Sequence, residues 1–567
     1  MLKKISSYRY QLTLVVIFFL LLVTRFLGNH YDAGLHLHPD ERWLIMVAGK
    51  IHLFNKLDPD FFAYGSLPIY VLKALAQSFD KLFLTKLDNY DGLLSLGRVI
   101  VSLLDILTAG LVFLIAKNLT HKKLTPYFAL IFYALMFFPI QNSNFFIVDN
   151  FLNLFLTLVI FLSFRYLKKP SWLTFVLLAV ASAAMLATKV TPVITLPIIF
   201  GIILLKLTTT ATTKKLKIYH LILGLGLLGI FGFVSFFLFM PYGILHYHQF
   251  IQEVSHQIKM GKDPYVFPYT LQYVDTTAYL YYLKNIFLWG AGPVISLWSL
   301  VGLGVIIKKL VTQFKQRNSL TSFITQPLLL VTLVYAVYFL VVGKTAVKFM
   351  RYMLVVYPFI ALSAGLAIEW FLTQVKLSFK LKRIIVILSL VLASIWLAAF
   401  LKIYLYPHTR IQATEWILKH IPTGSTLAVE HWDDRLPLYQ AGKYQYVELP
   451  LYEPESQYKW LTVSQRLDQA DYIIIASKRL YAPLTKLKDC KKYKKCYPET
   501  AKYYQDLFSG KLNFYKVAEF DFQPRLNFGL VKLKLDDNGA DESFSVYDHP
   551  HVIIFKKNES RQLPQQP

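Results

Sequence analysis

Charge is scarce in this chain. Only 17% of its 567 residues are charged, where a soluble domain carries about a quarter. Acidic residues are the rarer kind, 34 against 60 Lys and Arg. Cysteine is nearly absent. Cys490 and Cys496 stand alone, which excludes a disulfide framework. Outside the cytoplasm the two would either close one small loop or remain as thiols. No small-residue cleavage pattern follows the basic start, Lys3-Lys4, and the apolar run Tyr10 to Leu27. That run therefore reads as a retained helix. No clear internal repeat is visible either, which weighs against a transporter built from two related halves.

Apolar surface is what the chain has instead. It is 55% hydrophobic and 16% aromatic, with a mean hydropathy of +0.44. Runs long enough to cross a bilayer number about eleven. They lie near 10–28, 97–117, 124–141, 149–167, 172–188, 191–206, 218–241, 285–307, 325–343, 350–373 and 384–405. The net charge of +26 does not point to nucleic acid, because the basic residues fall in short loops where they orient helices. Lys3-Lys4, Lys117 with Lys122-Lys123, Arg165 with Lys168-Lys169, Lys214-Lys215, Lys308-Lys309 with Arg317, and Lys380 with Lys382-Arg383 all reach one face if the N-terminus is cytoplasmic. The stretch Leu67 to Leu84, broken by Lys73, Gln77, Asp80 and Lys81, reads as an amphipathic helix in the interface. The outer face then holds loops 29–95 and 242–284, turns near 142–148, 189–192 and 344–349, and everything after about 406. The aromatic loop 242–284 is suited to lipid headgroups.

From Tyr406 the apolar runs shorten to strand length: Thr426 to Glu430, Tyr472 to Ala476 and Val552 to Phe555. A helical stretch, Ala413 to Lys419, precedes the first. This alternation predicts a small extracytoplasmic α/β domain over 406–556. A transmembrane domain over 1–405 precedes it, and a polar tail, 557–567, follows.

Ionisable groups collect at the outer ends of the spans. Asp40 and Glu41 follow the first, Arg98 opens the second, Asp149 opens the fourth and Lys189 ends the fifth. Lys344, Lys348 and Arg351 lie between the ninth and tenth. Charges at a membrane boundary are functional candidates; the plainer account is that long Lys and Arg side chains snorkel to the headgroups. Pro39-Asp40-Glu41 has the form of a helix start. There the positive helix end favours ionised carboxylates, which suits a general base or a metal ligand. The plainer account of the pair is helix capping. An anionic base beside a cationic rim suits transfer from a phosphate-linked donor. The phosphate leaves without a proton, a carboxylate takes the acceptor's proton, and Arg, Lys or a divalent metal holds the phosphate charge.

His38-Pro39-Asp40-Glu41, Tyr64-Gly65-Ser66-Leu67-Pro68, Gly97-Arg98 with Ser102, Gln141 to Phe145 with Val148-Asp149, Ala187-Thr188-Lys189, and Val347 to Tyr352 follow one another in an order. In that order the chain resembles the GT-C fold, lipid-carrier-dependent glycosyltransferases, among them the protein mannosyltransferases and aminoarabinose transferases. The resemblance covers roughly residues 10–405. It implies an α-helical polytopic membrane protein that takes a sugar from a polyprenyl-phosphate carrier to an acceptor hydroxyl outside the cytoplasm, with inversion. Asp40 would be the base or a metal-associated carboxylate, and Glu41 its partner. Arg98, Lys189, Lys348 and Arg351 would hold the donor phosphate, and His38, Asp149 and Tyr64 would line the substrate site. Asp40 and Glu41 would be the ligands if Mg or Mn takes part. Asn144 stands where several members have His, so a donor contact there is not carried over. The tail lacks the threefold repeat of a β-trefoil, so protein O-mannosylation is not implied. The implied partners are the lipid-linked sugar, membrane lipids and an acceptor glycan, lipid or protein, at the plasma membrane. The rivals are a flippase of lipid-linked sugar and a non-catalytic membrane scaffold.

Overall fold

A computed structural model describes residues 2–120, 122–209, 212–316, 319–527 and 532–558. Arg317 and the polar tail beyond 558 lie outside them. The backbone gathers into two units. The first comprises residues 1–30, 38–259 and 277–398. The second comprises 31–37, 260–276 and 399 onward.

The first unit is helical. Among the described residues, seven helices are long and apolar enough to cross a membrane: those over 90–119, 148–168, 191–209, 214–239, 293–316, 350–374 and the apolar start of 379–420. Four shorter apolar helices, Tyr10–Phe26, Thr125–Leu135, Trp172–Leu186 and Pro327–Val342, fall on the other expected runs. A bilayer leaves no water for unpaired backbone groups, so apolar runs of this length become helices. Side-chain caps set several starts. Asn89 accepts from Gly92 N at 2.8 Å to open Tyr90–Leu119, and Ser171 accepts from Thr174 N at 3.2 Å to open Trp172–Leu186. In Lys214–Phe239 only Gly224 and Ser235 are buried, and Ile222, Phe233 and Leu238 face outward. Val148–Lys168 is instead buried along nearly its whole length. Leu67–Phe83 is a helix with one buried face, and it is not among the membrane-crossing candidates.

The second unit is built on a five-stranded sheet in the order 445–449, 426–430, 472–475, 552–557, 514–520. The first three strands are parallel, with Ala428 opposite Val447 and Ile473. The last two pair antiparallel. One face packs Ala428, Ile473 and Ile475 on Leu271, Val274 and Leu484. The other packs Leu427, Val429 and Ile474 on Ala413 and Ile417 of the helix Thr409–His420. Cys490 and Cys496 are joined, with their Cα atoms 5.0 Å apart. The loop they close holds the 260–276 segment. Lys492 meets Asp275 at 2.6 Å, and Lys495 donates to the Tyr265 carbonyl at 2.8 Å. Tyr547-Asp548-His549 lies between the helical turn Glu542–Ser545 and the strand Val552–Lys557. The His549 ring there sits between Asp548 and Asp537, with Nε2 2.7 Å from Asp537. Burial lowers the basicity of this imidazole, but the two carboxylates override it and push its pKa up to about 10.

Candidate active site

The helix Pro39–Lys50 is capped by His38, whose Nδ1 accepts from Glu41 N at 3.4 Å, and Pro39 occupies the first turn. The cap is therefore the histidine, and neither Asp40 nor Glu41 is used for it. Adjacent residues on a helix point about 100° apart, and the two carboxylates go to different places.

Glu41 is fully buried. Arg98 grips it with two bonds, Nε to Oε1 at 3.0 Å and Nη2 to Oε2 at 2.7 Å. The Phe146 backbone N–H adds a third at 2.8 Å, and Arg98 also donates to the Asn29 carbonyl at 3.0 Å. This buried fork ties the helix after the first span to the helix Tyr90–Leu119 and to the turn before Val148–Lys168.

Asp40 stays accessible, with a quarter of its side chain exposed. Arg351 Nη1 donates to its Oδ2, and the Tyr64 hydroxyl lies 3.4 Å from its Oδ1. Arg351 comes from the tight turn Met350–Val356 that leads into the helix Tyr357–Gln374. Its Nε lies 4.0 Å from Asp149 Oδ2, and Lys189 Nζ donates to Asp149 Oδ1 at 2.8 Å. The Lys189 ammonium also faces the rings of Tyr352 at 4.6 Å and Tyr64 at 5.9 Å. Asp40, Tyr64, Asp149, Lys189, Arg351 and Tyr352 thus form one cluster from five stretches of chain. Burial pushes the Asp40 carboxyl up, but Arg351, His38 and Lys189 outweigh it and hold it below its ordinary value. Burial first, and then the Asp40 charge, push the Tyr64 phenol well above its usual range.

Gly65 explains how Tyr64 reaches this place. Gly65 N donates to the Thr188 carbonyl at 3.0 Å and Leu67 N to the Ala187 carbonyl at 3.1 Å, which pins the loop to the residues just before Lys189. A Cβ on Gly65 would stand 1.9 Å from the Ala187 oxygen, so no larger residue fits that approach.

The other expected residues are placed as follows. His38 packs on Phe145 with centroids 4.7 Å apart. Lys348 is buried and donates to the Ala346 carbonyl at 3.0 Å. Arg98 and Glu41 serve each other. Glu41 thus has both oxygens in use, so Asp40 and Glu41 do not make up a shared donor set for Mg or Mn. Among the described residues, no group of three or more His, Cys, Asp or Glu is placed to hold a metal ion. Two features were given no site role from the sequence. Tyr352 is one. The other is a buried ion pair, Arg25 Nε to Asp105 Oδ2 at 2.9 Å, backed by Tyr133 OH to Asp105 at 2.5 Å and Asn153 Nδ2 to Tyr133 OH at 3.0 Å. A charge of each sign inside two apolar runs was its available signal.

Residues 92–236 match the family model described as dolichyl-phosphate-mannose-protein mannosyltransferase. No curated protein matches the chain significantly. Among solved structures, the oligosaccharyltransferase of Archaeoglobus fulgidus in its apo form is similar at 10% identity and a TM-score of 0.52, over 97% of this chain and 89% of that one. The same enzyme tethered to an acceptor peptide gives 12% identity and 0.50, over 93% and 74%. ArnT from Cupriavidus metallidurans bound to undecaprenyl phosphate gives 13% identity and 0.43, over 83% and 94%. The chain has the GT-C fold, a multi-pass helical unit with a sheet-containing unit toward its C-terminus.

Proposed function

We propose that this chain is a membrane glycosyltransferase that moves a sugar from a polyprenyl-phosphate carrier to an acceptor hydroxyl on the extracytoplasmic face. The observation that carries this is the meeting of one accessible carboxylate, Asp40, with two cations, Arg351 and Lys189, in a single cluster. Support comes from the fold and from a family model whose named donor is a lipid phosphate sugar. The Lys/Arg bias of the loops supports reading the cluster's side of the chain as the outer one.

In this mechanism Arg351 and Lys189 hold the donor phosphate. The acceptor hydroxyl attacks the anomeric carbon from the side opposite the phosphate, and Asp40 takes its proton. The new glycosidic C–O bond forms as the C–O bond to phosphate breaks, so the sugar inverts and polyprenyl phosphate leaves as the anion. Asp149 keeps Lys189 in place, and Glu41 with Arg98 fixes the helix that presents Asp40. Asp40, which keeps a quarter of its side chain exposed, would be the residue to hold a divalent ion, which would help to balance the phosphate charge.

The test is transfer from a synthetic polyprenyl-phosphate sugar by the purified full chain, with cell-envelope extract as acceptor. Asp40→Asn lowers the transfer rate by about 10²–10⁴-fold. Unchanged turnover in that variant overturns the assignment, and transbilayer movement of labelled lipid without sugar transfer replaces it with a flippase.

A further inference from the structure

Trp43 follows Asp40 by one turn of the helix Pro39–Lys50, so the two share a face. Its indole is 48% exposed, while its neighbours Leu44 and Ile45 are buried in the core. The Trp43 ring meets Phe61 at 6.1 Å and 66°, and Phe61 meets Tyr64 at 5.9 Å and 79°. The Tyr64 hydroxyl lies 3.4 Å from Asp40 Oδ1. A row of three aromatic rings therefore leads from the accessible carboxylate to the open end of the site.

The row is held in place before anything binds. Phe62 N donates to Glu253 Oε2 at 2.7 Å, and Gly65 N to the Thr188 carbonyl at 3.0 Å. Phe61 and Tyr64 thus stand in a stretch pinned on both sides. Both rings also lean on the core that Leu44, Ile45 and Ile69 build. Rings fixed in advance lose little freedom when a ligand arrives. Asp60 supplies a polar margin. It is exposed, it takes the left-handed turn that leads into Phe61 (φ +47°), and its carboxylate accepts from Gln249 Nε2 at 3.0 Å.

We propose that Trp43, Phe61 and Tyr64 form the acceptor subsite and that the acceptor is an oligosaccharide, whose sugar nearest Asp40 offers the hydroxyl. This rests on the transfer reaction proposed above.

A sugar ring has a face of C–H bonds, which suits the negative face of an aromatic ring. Its hydroxyls suit a carboxylate and an amide at the margin, here Asp60 and Gln249. A polyprenyl chain is apolar throughout and would cut those polar groups off from water at a cost. The donor's phosphate is drawn elsewhere, to Arg351 and Lys189, which gather at Asp149. Three rings in line accommodate more than one sugar, so a chain of sugars fits the row better than a single one. Trp43 and Phe61 bind and orient; no bond is made or broken at either.

The experiment measures transfer from a synthetic polyprenyl-phosphate sugar by the purified full chain, with cell-envelope extract as acceptor. Extract and donor are titrated in turn. Trp43→Ala is expected to raise the half-saturating amount of extract about tenfold and not that of the donor. Trp43→Phe should recover most of the difference. Melting of both variants should match the native chain, because the indole lies outside the core. Extract digested with protease should still accept sugar, and extract treated with periodate, which opens sugar rings at adjacent hydroxyls, should not. A shift in the donor's half-saturation alone would assign the row to the carrier's chain and overturn the proposal. No shift in either would make it plain membrane-facing surface, with the same result. Loss of acceptance after protease, or full acceptance after periodate, would overturn the glycan. In each of these cases the transfer reaction stands. If the native chain transfers nothing, both fall.

Discussion

Replacing Glu41 by alanine removes one member of a fully buried pair and leaves Arg98 charged with no carboxylate. Three hydrogen bonds go with it, two of them from the guanidinium. Breaking one side of a buried ion pair costs about 3–5 kcal/mol. That exceeds what a single charge-assisted hydrogen bond contributes, about 1.5–3 kcal/mol, because the stranded charge adds its own desolvation. Asp40→Asn, one residue earlier, touches an accessible side chain and keeps its shape. It should leave folding nearly unchanged while lowering the transfer rate by about 10²–10⁴-fold, the usual contribution of a general base. Two assays on the same preparations separate these effects: melting of the detergent-solubilised chain, and sugar transfer. Glu41→Ala and Arg98→Ala should each lower the melting temperature by several degrees. Replacing both by apolar residues of similar size should recover much of the loss. A Glu41→Ala protein with native melting and no transfer would refute this division of labour and make Glu41 a reacting group.

Three further outcomes follow from other parts of the chain. Gly65→Ala should displace Tyr64 from Asp40 and reduce transfer, because its Cβ meets the Ala187 oxygen; a fully active variant would show that the loop approach is not needed. His549 has a folded pKa of about 10, above an unfolded value near 6.5. Its stabilisation is therefore fully present below about pH 6.5 and lost as pH rises through 10. Melting curves of the full chain between pH 6 and 10 should fall, and the slope should flatten in His549→Gln. Reducing Cys490–Cys496 reopens a short loop, for which chain entropy predicts about 2 kcal/mol; urea unfolding with and without reductant measures it.

Much of the architecture was legible because apolar length is a physical requirement of crossing a bilayer, and each expected run lies on a helix. The central strands Thr426–Glu430 and Tyr472–Ile475 were visible as unbroken apolar runs. Gln445–Leu449 and Phe514–Phe520 were not. They are the sheet's outermost strands, only half-covered, and carry no such run. In the cluster, Asp149 and Lys189 stood out by opposite sign among apolar neighbours, and they pair. What sequence order could not tell was which carboxylate of Asp40-Glu41 faces which cation. A single step around a helix decides that, and it sent Arg98 to Glu41 and Arg351 to Asp40. Nor did any local pattern tell that residues 31–37 and 260–276, from loops far apart in the chain, join the second unit.

That last feature bears on how the protein can be made. Leu271 and Val274 are buried in the second unit's core, and Asp275 anchors Lys492. A fragment beginning at residue 399 would expose the apolar surface these residues cover and lose the anchor. It should be soluble only with difficulty, and the missing segments supplied as separate peptides should improve it. In the growing chain, the same segments emerge long before the sheet they complete. They must wait until the strand Val552–Lys557 has been made. The sheet-containing unit thus closes only after that strand emerges, and nascent chains halted before residue 553 should be the ones that quality control removes.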